Sequence, residues 1–174
     1  LASVVETKLL VRREEHAEAL NRQGLKVTGK SQLHSRVTAA TDPAQLEPVD
    51  LIIVATKASA VAAAAKHLSG HFPGTTVMTV QNGLGCEDVI AQHGDWPGIS
   101  SITFMSGIRH SDVGVEYELD TETWMGPWSK GSADFAVTRA AAELIVSSGL
   151  RAKAFEDVRP AQWSKLIFNS VVNS

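Results

Sequence analysis

The chain has 174 residues, of which 44% are hydrophobic and 20% are charged, a balance that supports a buried core and excludes a largely disordered protein. Its 16 Lys and Arg residues against 19 Asp and Glu residues give a net charge of −3, which argues against a nucleic-acid partner. The single cysteine, Cys86, excludes an internal disulfide and favours a cytoplasmic location. Because Asp50 and Lys57 interrupt the most apolar stretch, we expect no membrane span.

The residue pattern alternates between strand and helix along the chain. In chain order it predicts a strand at 4–11, a helix at 13–24, short strands at 26–28 and 35–41, a strand at 49–57, a helix at 59–70, a strand at 75–81, a short helix at 86–94, strands at 99–108, 113–117 and 123–125, a helix at 132–149, a short strand at 151–157 and a helix from 160 onwards. This alternation is typical of an α/β protein with a mostly parallel sheet. The continuous apolar run at 49–57 predicts a strand covered on both faces.

The two ends of the sequence carry no start or stop signals. The first residues lack the pattern of a signal peptide, and the last helical pattern reaches Ser174 without a capping glycine or a following proline. We therefore expect the chain to be cut at both ends. A boundary is predicted near 158–160, where the α/β alternation stops and Pro160 favours the start of a new helix.

Polar residues follow three predicted strands, and ligands of parallel sheets bind beyond the carboxyl ends of the strands. Arg12 and Arg13 come directly after the first strand, where a guanidinium can pair with a 2′-phosphate of a dinucleotide. Lys57 ends the strand at 49–57, and Asn82 begins a tight Asn-Gly turn after the next one. The alternative for each is an ordinary solvated side chain or turn. The fingerprint G-x-G-x-x-G is absent, so a dinucleotide-binding fold would need a first βα unit before Leu1.

A second polar pattern lies on the last predicted helix. Lys165, Asn169 and Asn173 recur every four residues and therefore share one helix face. That face is either a solvated stripe or the wall of a polar cleft. Asn is a mediocre helix former, which favours the cleft.

The histidines and the single cysteine do not suggest a metal centre. With one cysteine and scattered histidines we expect no bound metal. Cys86 has no nucleophile signature, and we interpret it as a packed thiol at the start of a helix.

The segments LLVRREEHAEALNRQGL, VDLIIVATKA, VMTVQNGLG and QWSKLIFNSVVN, taken in this order, resemble the ketopantoate reductase (2-dehydropantoate 2-reductase) family. The resemblance implies a Rossmann-like, mostly parallel sheet followed by the start of an all-α domain. It assigns 1–157 to the NADP-binding domain, without its first βα unit, and 158–174 to the first helix of a truncated helical substrate domain.

The resemblance also implies which residues meet the cofactor, NADP. Arg13 matches the arginine that recognises the 2′-phosphate, with Arg12 as the register alternative. Lys57 and Asn82 match two residues beside the nicotinamide end.

On the last helix, the resemblance makes Lys165 the catalytic lysine and places Asn169 and Asn173 toward the substrate. The chemistry agrees, because hydride arriving at a ketone leaves negative charge on oxygen, which a lysine ammonium can stabilise and protonate. Later family residues, a serine and a glutamate, have no counterparts in this chain.

The expected function is the NADPH-dependent reduction of 2-dehydropantoate to pantoate, in the pathway to pantothenate and coenzyme A, although we expect the segment alone to be inactive. The expected partner is a small-molecule 2-oxo acid, with no nucleic acid, membrane or metal, and a homodimer is kept as a hypothesis. Two alternatives remain open at this point: a related oxidoreductase acting on another 2-oxo acid, and a non-catalytic NADP-binding module.

Overall fold

The computed structural model describes residues 1–128 and 133–172. The chain divides into two compact units, each built from three segments. The first unit comprises Leu1–Glu47, Phe104–Glu122 and Leu144–Arg151, and the second comprises Pro48–Thr103, Thr123–Glu143 and Ala152–Ser174. This division follows contacts within the structure, whereas the division predicted after residue 157 separates two functions. The functional division stays a prediction.

Strands and helices alternate along most of the described chain. The strands are β1 (Lys8–Leu10), β2 (Leu25–Gly29), β3 (Leu33–Ser35), β4 (Thr38–Ala40), β5 (Leu51–Val54), β6 (Thr76–Thr79), β7 (Gly98–Ile102), β8 (Ser106–Arg109), β9 (Gly114–Leu119), β10 (Thr123–Pro127) and β11 (Ala152–Ala154). The helices are α1 (Glu14–Gln23), α2 (Val61–Leu68), α3 (Cys86–Ala91), α4 (Phe135–Ser147) and α5 (Arg159–Val172).

The first unit holds two small sheets. Strands β1 and β4 pair in parallel, and β3, β2, β9 and β8 form a four-stranded sheet in that order. Helix α1 begins with two acidic residues and ends at Gly24, whose φ of 70° favours glycine. Its buried face, Ala17 and Leu20, packs with Ala39 of β4 into a small apolar core.

The second unit contains a five-stranded sheet in the order β11-β10-β7-β6-β5. Strands β5, β6 and β7 are parallel, whereas β10 runs antiparallel to β7. Two of the three interior strands, β6 and β7, are buried along their whole length. The carboxyl ends of β5, β6 and β7 therefore lie at one edge of the sheet, which is where this architecture places its ligands.

The α/β prediction is confirmed, and two details of it are corrected. The strand expected at 4–11 is limited to β1, because the backbone N–H groups of Val4 and Val5 donate to the Leu1 carbonyl in a turn, at 2.8 and 3.1 Å. Strand β5 was expected to be covered on both faces, but three of its four residues are only half-buried. Within the described chain β5 ends the order of its sheet, so it pairs along one side only.

Candidate functional site

Lys165 is a buried side chain at the carboxyl edge of the five-stranded sheet. Helix α5 packs against β7, and the Lys165 Nζ donates a hydrogen bond to the carbonyl of Thr103, the residue that follows β7. Only 7% of Lys165 is exposed. Burial lowers the pKa of Lys165, because the ammonium form loses hydration. A lysine with a lowered pKa gives up its proton more readily than a surface lysine does.

A small cleft lies beside Lys165 and is lined mostly by polar side chains. They come from β7, from the residues after β6, from α3 and from α5: Gln81, Glu87, Ser101, Gln162 and Lys165. Gly83, Ile102 and Leu166 complete the lining. The cleft lies wholly within the second unit. Polar groups converging on a concave site at the ends of parallel strands are the usual features of a ligand-binding or catalytic centre.

Gln81 ties the ends of two strands together at the cleft. Its Nε2 donates to the carbonyls of Val54 and Thr56, at 2.5 and 3.1 Å, which fixes the orientation of the amide. The Oε1 atom of Gln81 is buried and has no hydrogen-bond partner among the described residues. An unsatisfied buried acceptor is costly, so the Gln81 Oε1 is suited to an N–H group of a bound molecule.

Glu87, on α3, is the acceptor of three side-chain hydrogen bonds. Its Oε1 accepts from the hydroxyls of Thr79 and Ser100, at 3.1 and 2.5 Å, and from the Nε2 of Gln162 at 3.3 Å. The sequence interpretation missed Glu87 and Gln162. A usable signal was present, since Gln162 precedes Lys165 by three residues and therefore shares its helix face.

Lys57 and Asn82 both lie in the second unit, just beyond the carboxyl ends of β5 and β6. Both side chains are exposed. The amide of Gln81, adjacent to Asn82, links these two strand ends. The structure thus places Lys57 and Asn82 at the same edge as Lys165, and their role in cofactor binding stays a prediction.

The stripe predicted on α5 is described in part. Lys165 is buried rather than solvated, Asn169 is half-buried one turn later, and Asn173 lies outside the described residues. Two apolar residues of α5 are in contrast exposed: Ile167 is 62% and Val171 is 72% exposed in this chain. In α5 the polar stripe therefore begins on the covered face of the helix.

Arg12 and Arg13 belong to the first unit and follow β1 directly. Arg12 is exposed, while Arg13 forms an ion pair with Asp112 in which the guanidinium and carboxylate atoms are 2.6 Å apart. Arg109 approaches the same carboxylate at 3.7 Å. The hydrogen bond from Arg13 holds the pKa of Asp112 below its ordinary value. The sequence interpretation missed Asp112, which lies 99 residues away along the chain.

Neither a metal site nor a membrane-spanning helix is found in the part of the chain that the structure describes. No three His, Cys, Asp or Glu side chains there are grouped as metal ligands. His67 and His71 have a four-residue spacing, but α2 ends at Leu68, before the second of them. No helix among the described residues is long and apolar enough to cross a bilayer.

Together, a mostly parallel sheet covered by helices and polar side chains beyond the carboxyl ends of its strands place the chain in the ligand-binding, Rossmann-like class of α/β proteins. The sequence profile described as "Ketopantoate reductase PanE/ApbA" matches residues 2–130. The chain therefore belongs to the ketopantoate reductase family.

Individual proteins are also similar to the chain, in sequence or in fold. The chain is 30% identical over 173 residues to a 2-dehydropantoate 2-reductase of Pyrococcus abyssi, covering 99% of this chain and 56% of that protein. A solved 2-dehydropantoate 2-reductase of Geobacter metallireducens has a TM-score of 0.84 at 24% identity, covering 96% of this chain and 56% of that one. A D-mandelate dehydrogenase, solved with NADH and anilino(oxo)acetate, has a TM-score of 0.83 at 20% identity, covering 98% and 56%. The chain thus spans little more than half the length of these relatives.

The lowered pKa of Lys165 predicts a pH-dependent effect on stability. Between this lowered pKa and the ordinary value of about 10.4, the unfolded chain binds a proton that the folded protein has released, so stability rises with pH in this window. Lys165→Met cannot titrate. We therefore expect it to unfold at a higher temperature than the parent at pH 7, with this advantage shrinking toward pH 10 in circular-dichroism melts.

The matched control for that measurement is Lys66→Met, which replaces an exposed lysine on α2. Its difference from the parent should not change between pH 7 and pH 10. A Lys165→Met advantage that is absent at pH 7, or that grows with pH, would contradict the role of burial.

Proposed function

We propose that the protein containing this chain is an NADPH-dependent reductase that converts 2-dehydropantoate to pantoate, a step toward pantothenate and coenzyme A. The observation that carries the proposal is the buried amine of Lys165 at the carboxyl edge of the sheet. Family membership and the names of the relatives support the same reaction. The expected cytoplasmic location and the division into a nucleotide domain at 1–157 and a helical domain from 158 onward belong to the same proposal.

Lys165 supplies the proton in this reaction. Bound NADPH would provide the hydride for the carbonyl carbon of the oxo acid. The Lys165 ammonium then stabilises the negative charge that develops on the carbonyl oxygen and donates its proton there. Because burial lowers its pKa, the amine transfers this proton more readily than a solvated lysine would. Low local polarity also strengthens its interaction with the developing charge.

The residues at the sheet edge fit the nicotinamide end of the cofactor. Lys57 and Asn82 offer a cation and an amide just beyond β5 and β6, and Gln81 offers a buried acceptor without a partner among the described residues. A carboxamide carries both a donor and an acceptor, which this set can satisfy. Lys57, Asn82 and Gln81 therefore support the proposal, and none of the three is acidic.

In the first unit, Arg13, with Arg12 beside it, is proposed to bind the 2′-phosphate of NADPH. A guanidinium binds a phosphate through two parallel charge-assisted hydrogen bonds. Asp112 already holds Arg13 at 2.6 Å, which orients the guanidinium but also competes with the phosphate for its donors.

On α5, Asn169 and Asn173 are proposed to hold the substrate. Asn169 follows Lys165 by one helical turn, so the amide and the amine share a face. An amide can orient the carbonyl and a neighbouring hydroxyl without placing a second charge beside the lysine.

A second candidate substrate class is another 2-oxo acid. The similar D-mandelate dehydrogenase was solved with anilino(oxo)acetate, a compound that carries an oxoacid group. The fold therefore serves more than one such substrate among related proteins.

Substrate choice is tested by NADPH oxidation in the full-length protein with a panel of 2-oxo acids. We expect the highest kcat/KM for 2-dehydropantoate. A preference for another acid by more than about tenfold, or roughly 1.4 kcal/mol of transition-state discrimination, would replace the pantoate assignment by the second candidate.

The role of Lys165 predicts a selective loss of the chemical step. We expect Lys165→Ala in the full-length enzyme to lower kcat by about 10²–10⁴, because the charge that the ammonium meets develops only as hydride moves. The control is Lys66→Ala, which replaces an exposed lysine on α2 and should leave kcat unchanged. A folded Lys165→Ala enzyme with nearly normal turnover would remove the proton-donor role.

Cofactor choice tests the arginine proposal. We expect replacement of Arg12 and Arg13 by Ala to weaken NADPH binding at least tenfold more than NADH binding, because only NADPH carries the 2′-phosphate. The matched control is Arg151→Ala, which removes another exposed arginine that contacts an aspartate, Asp120, in the same unit. Equal weakening of both cofactors by the double replacement would contradict phosphate recognition.

A further inference from the structure

The carboxylate of Glu87 connects the central strands of the sheet to the helix that carries Lys165. Thr79 of β6 and Ser100 of β7 donate their hydroxyl hydrogens to the Glu87 Oε1, at 3.1 and 2.5 Å. Both strands are buried along their whole length, so these two donors are held rigidly. The carboxylate is thereby fixed relative to the sheet.

Gln162 connects the Glu87 carboxylate to α5. Its Nε2 donates to the same Glu87 Oε1 at 3.3 Å, across 75 residues of sequence. Gln162 precedes Lys165 by three residues, so the two side chains lie on the same face of α5, one above the other. Glu87, Gln162 and Lys165 all line the small cleft.

A continuous polar path thus leads from the sheet through Glu87 and Gln162 to the face of α5 that presents Lys165. The hydrogen bond from Gln162 restrains this part of α5 relative to the sheet beside the cleft.

We propose that Glu87 is a positioning residue that acts through Gln162 to set the rotation and height of α5, and hence the place of the Lys165 amine in the cleft. This inference rests on the proposed role of Lys165 as proton donor. In this inference Lys165 remains the proton donor, and Glu87 acts through the position of α5. Misplacing a catalytic group by about 1 Å can cost up to about 100-fold in rate, so the Glu87–Gln162 contact should affect turnover strongly.

A charge-swap series in the full-length enzyme tests the proposal. Gln162→Glu places two carboxylates against each other, and we expect kcat to fall about 10–100-fold while the KM for NADPH changes less than twofold. The double variant, Glu87→Gln with Gln162→Glu, restores an amide–carboxylate hydrogen bond in the opposite direction. We expect the double variant to recover kcat to within about threefold of the parent.

A control variant and a stability measurement separate positioning from general stability. Asp88→Asn neutralises the exposed neighbouring carboxylate in the same first turn of α3, and should leave kcat, KM and Tm unchanged. A purely structural role of Glu87 would lower Tm and the fraction of active enzyme but leave kcat per active site unchanged. The double variant would then have no loss of kcat to restore. If Gln162→Glu does not fold, Gln162→Ala is measured instead, and kcat per folded enzyme should fall at least fivefold.

The outcomes also distinguish this inference from the proposed function. Normal kcat in Gln162→Glu, or in Gln162→Ala where that variant is needed, overturns the positioning role, and so does a charge-swapped double variant that stays as slow as Gln162→Glu. If Lys165→Ala is inactive in the same assay, such a result leaves the proton-donor proposal standing. If Lys165→Ala turns over at a nearly normal rate, the proton-donor proposal fails on its own measurement.

Discussion

The constraint on which the second unit depends is the burial of an amine. An ammonium group removed from water costs free energy unless acceptors replace its hydration. Lys165 meets this requirement through the carbonyl of Thr103, the residue that follows β7. The packing of α5 against β7 brings the amine to this acceptor.

The same constraint sets one side chain of α5 apart from the usual pattern. A helix on a globular protein ordinarily exposes its charges. In α5, Lys165 is buried. Position 165 is thus occupied against the usual preference, and departures of this kind concentrate at functional sites, where stability is given up for chemistry.

Sequence reasoning recovered the features that depend on local order. Alternating strand and helix patterns predicted the α/β class, and the four-residue spacing predicted that Lys165 and Asn169 share a face. The extent of the first strand was wrong, because Val4 and Val5 have strand propensity yet their backbone groups turn back to Leu1. Strand propensity is a property of the residue type, whereas the hydrogen-bond partner of a backbone group depends on the fold of the whole chain.

Contacts between distant residues could not be predicted in the same way. Glu87 meets Gln162 across 75 residues, and Arg13 meets Asp112 across 99. Glu87, Gln162 and Asp112 look like ordinary surface residues in their own segments, since polar side chains on helices and hairpins are usually solvated. Their roles depend on which strands are neighbours, and no local periodicity encodes that order.

Cys86, the residue next to Glu87, is buried at the start of α3, and burial together with the charge of Glu87 raises the pKa of its thiol. Oxidants and disulfides react with the thiolate, which is scarce for such a group. A sulfenic or sulfinic acid at this position would place new oxygen atoms inside the turn that holds Glu87 against the sheet. The environment that makes Cys86 unreactive therefore also protects the neighbouring hydrogen bonds from oxidative damage.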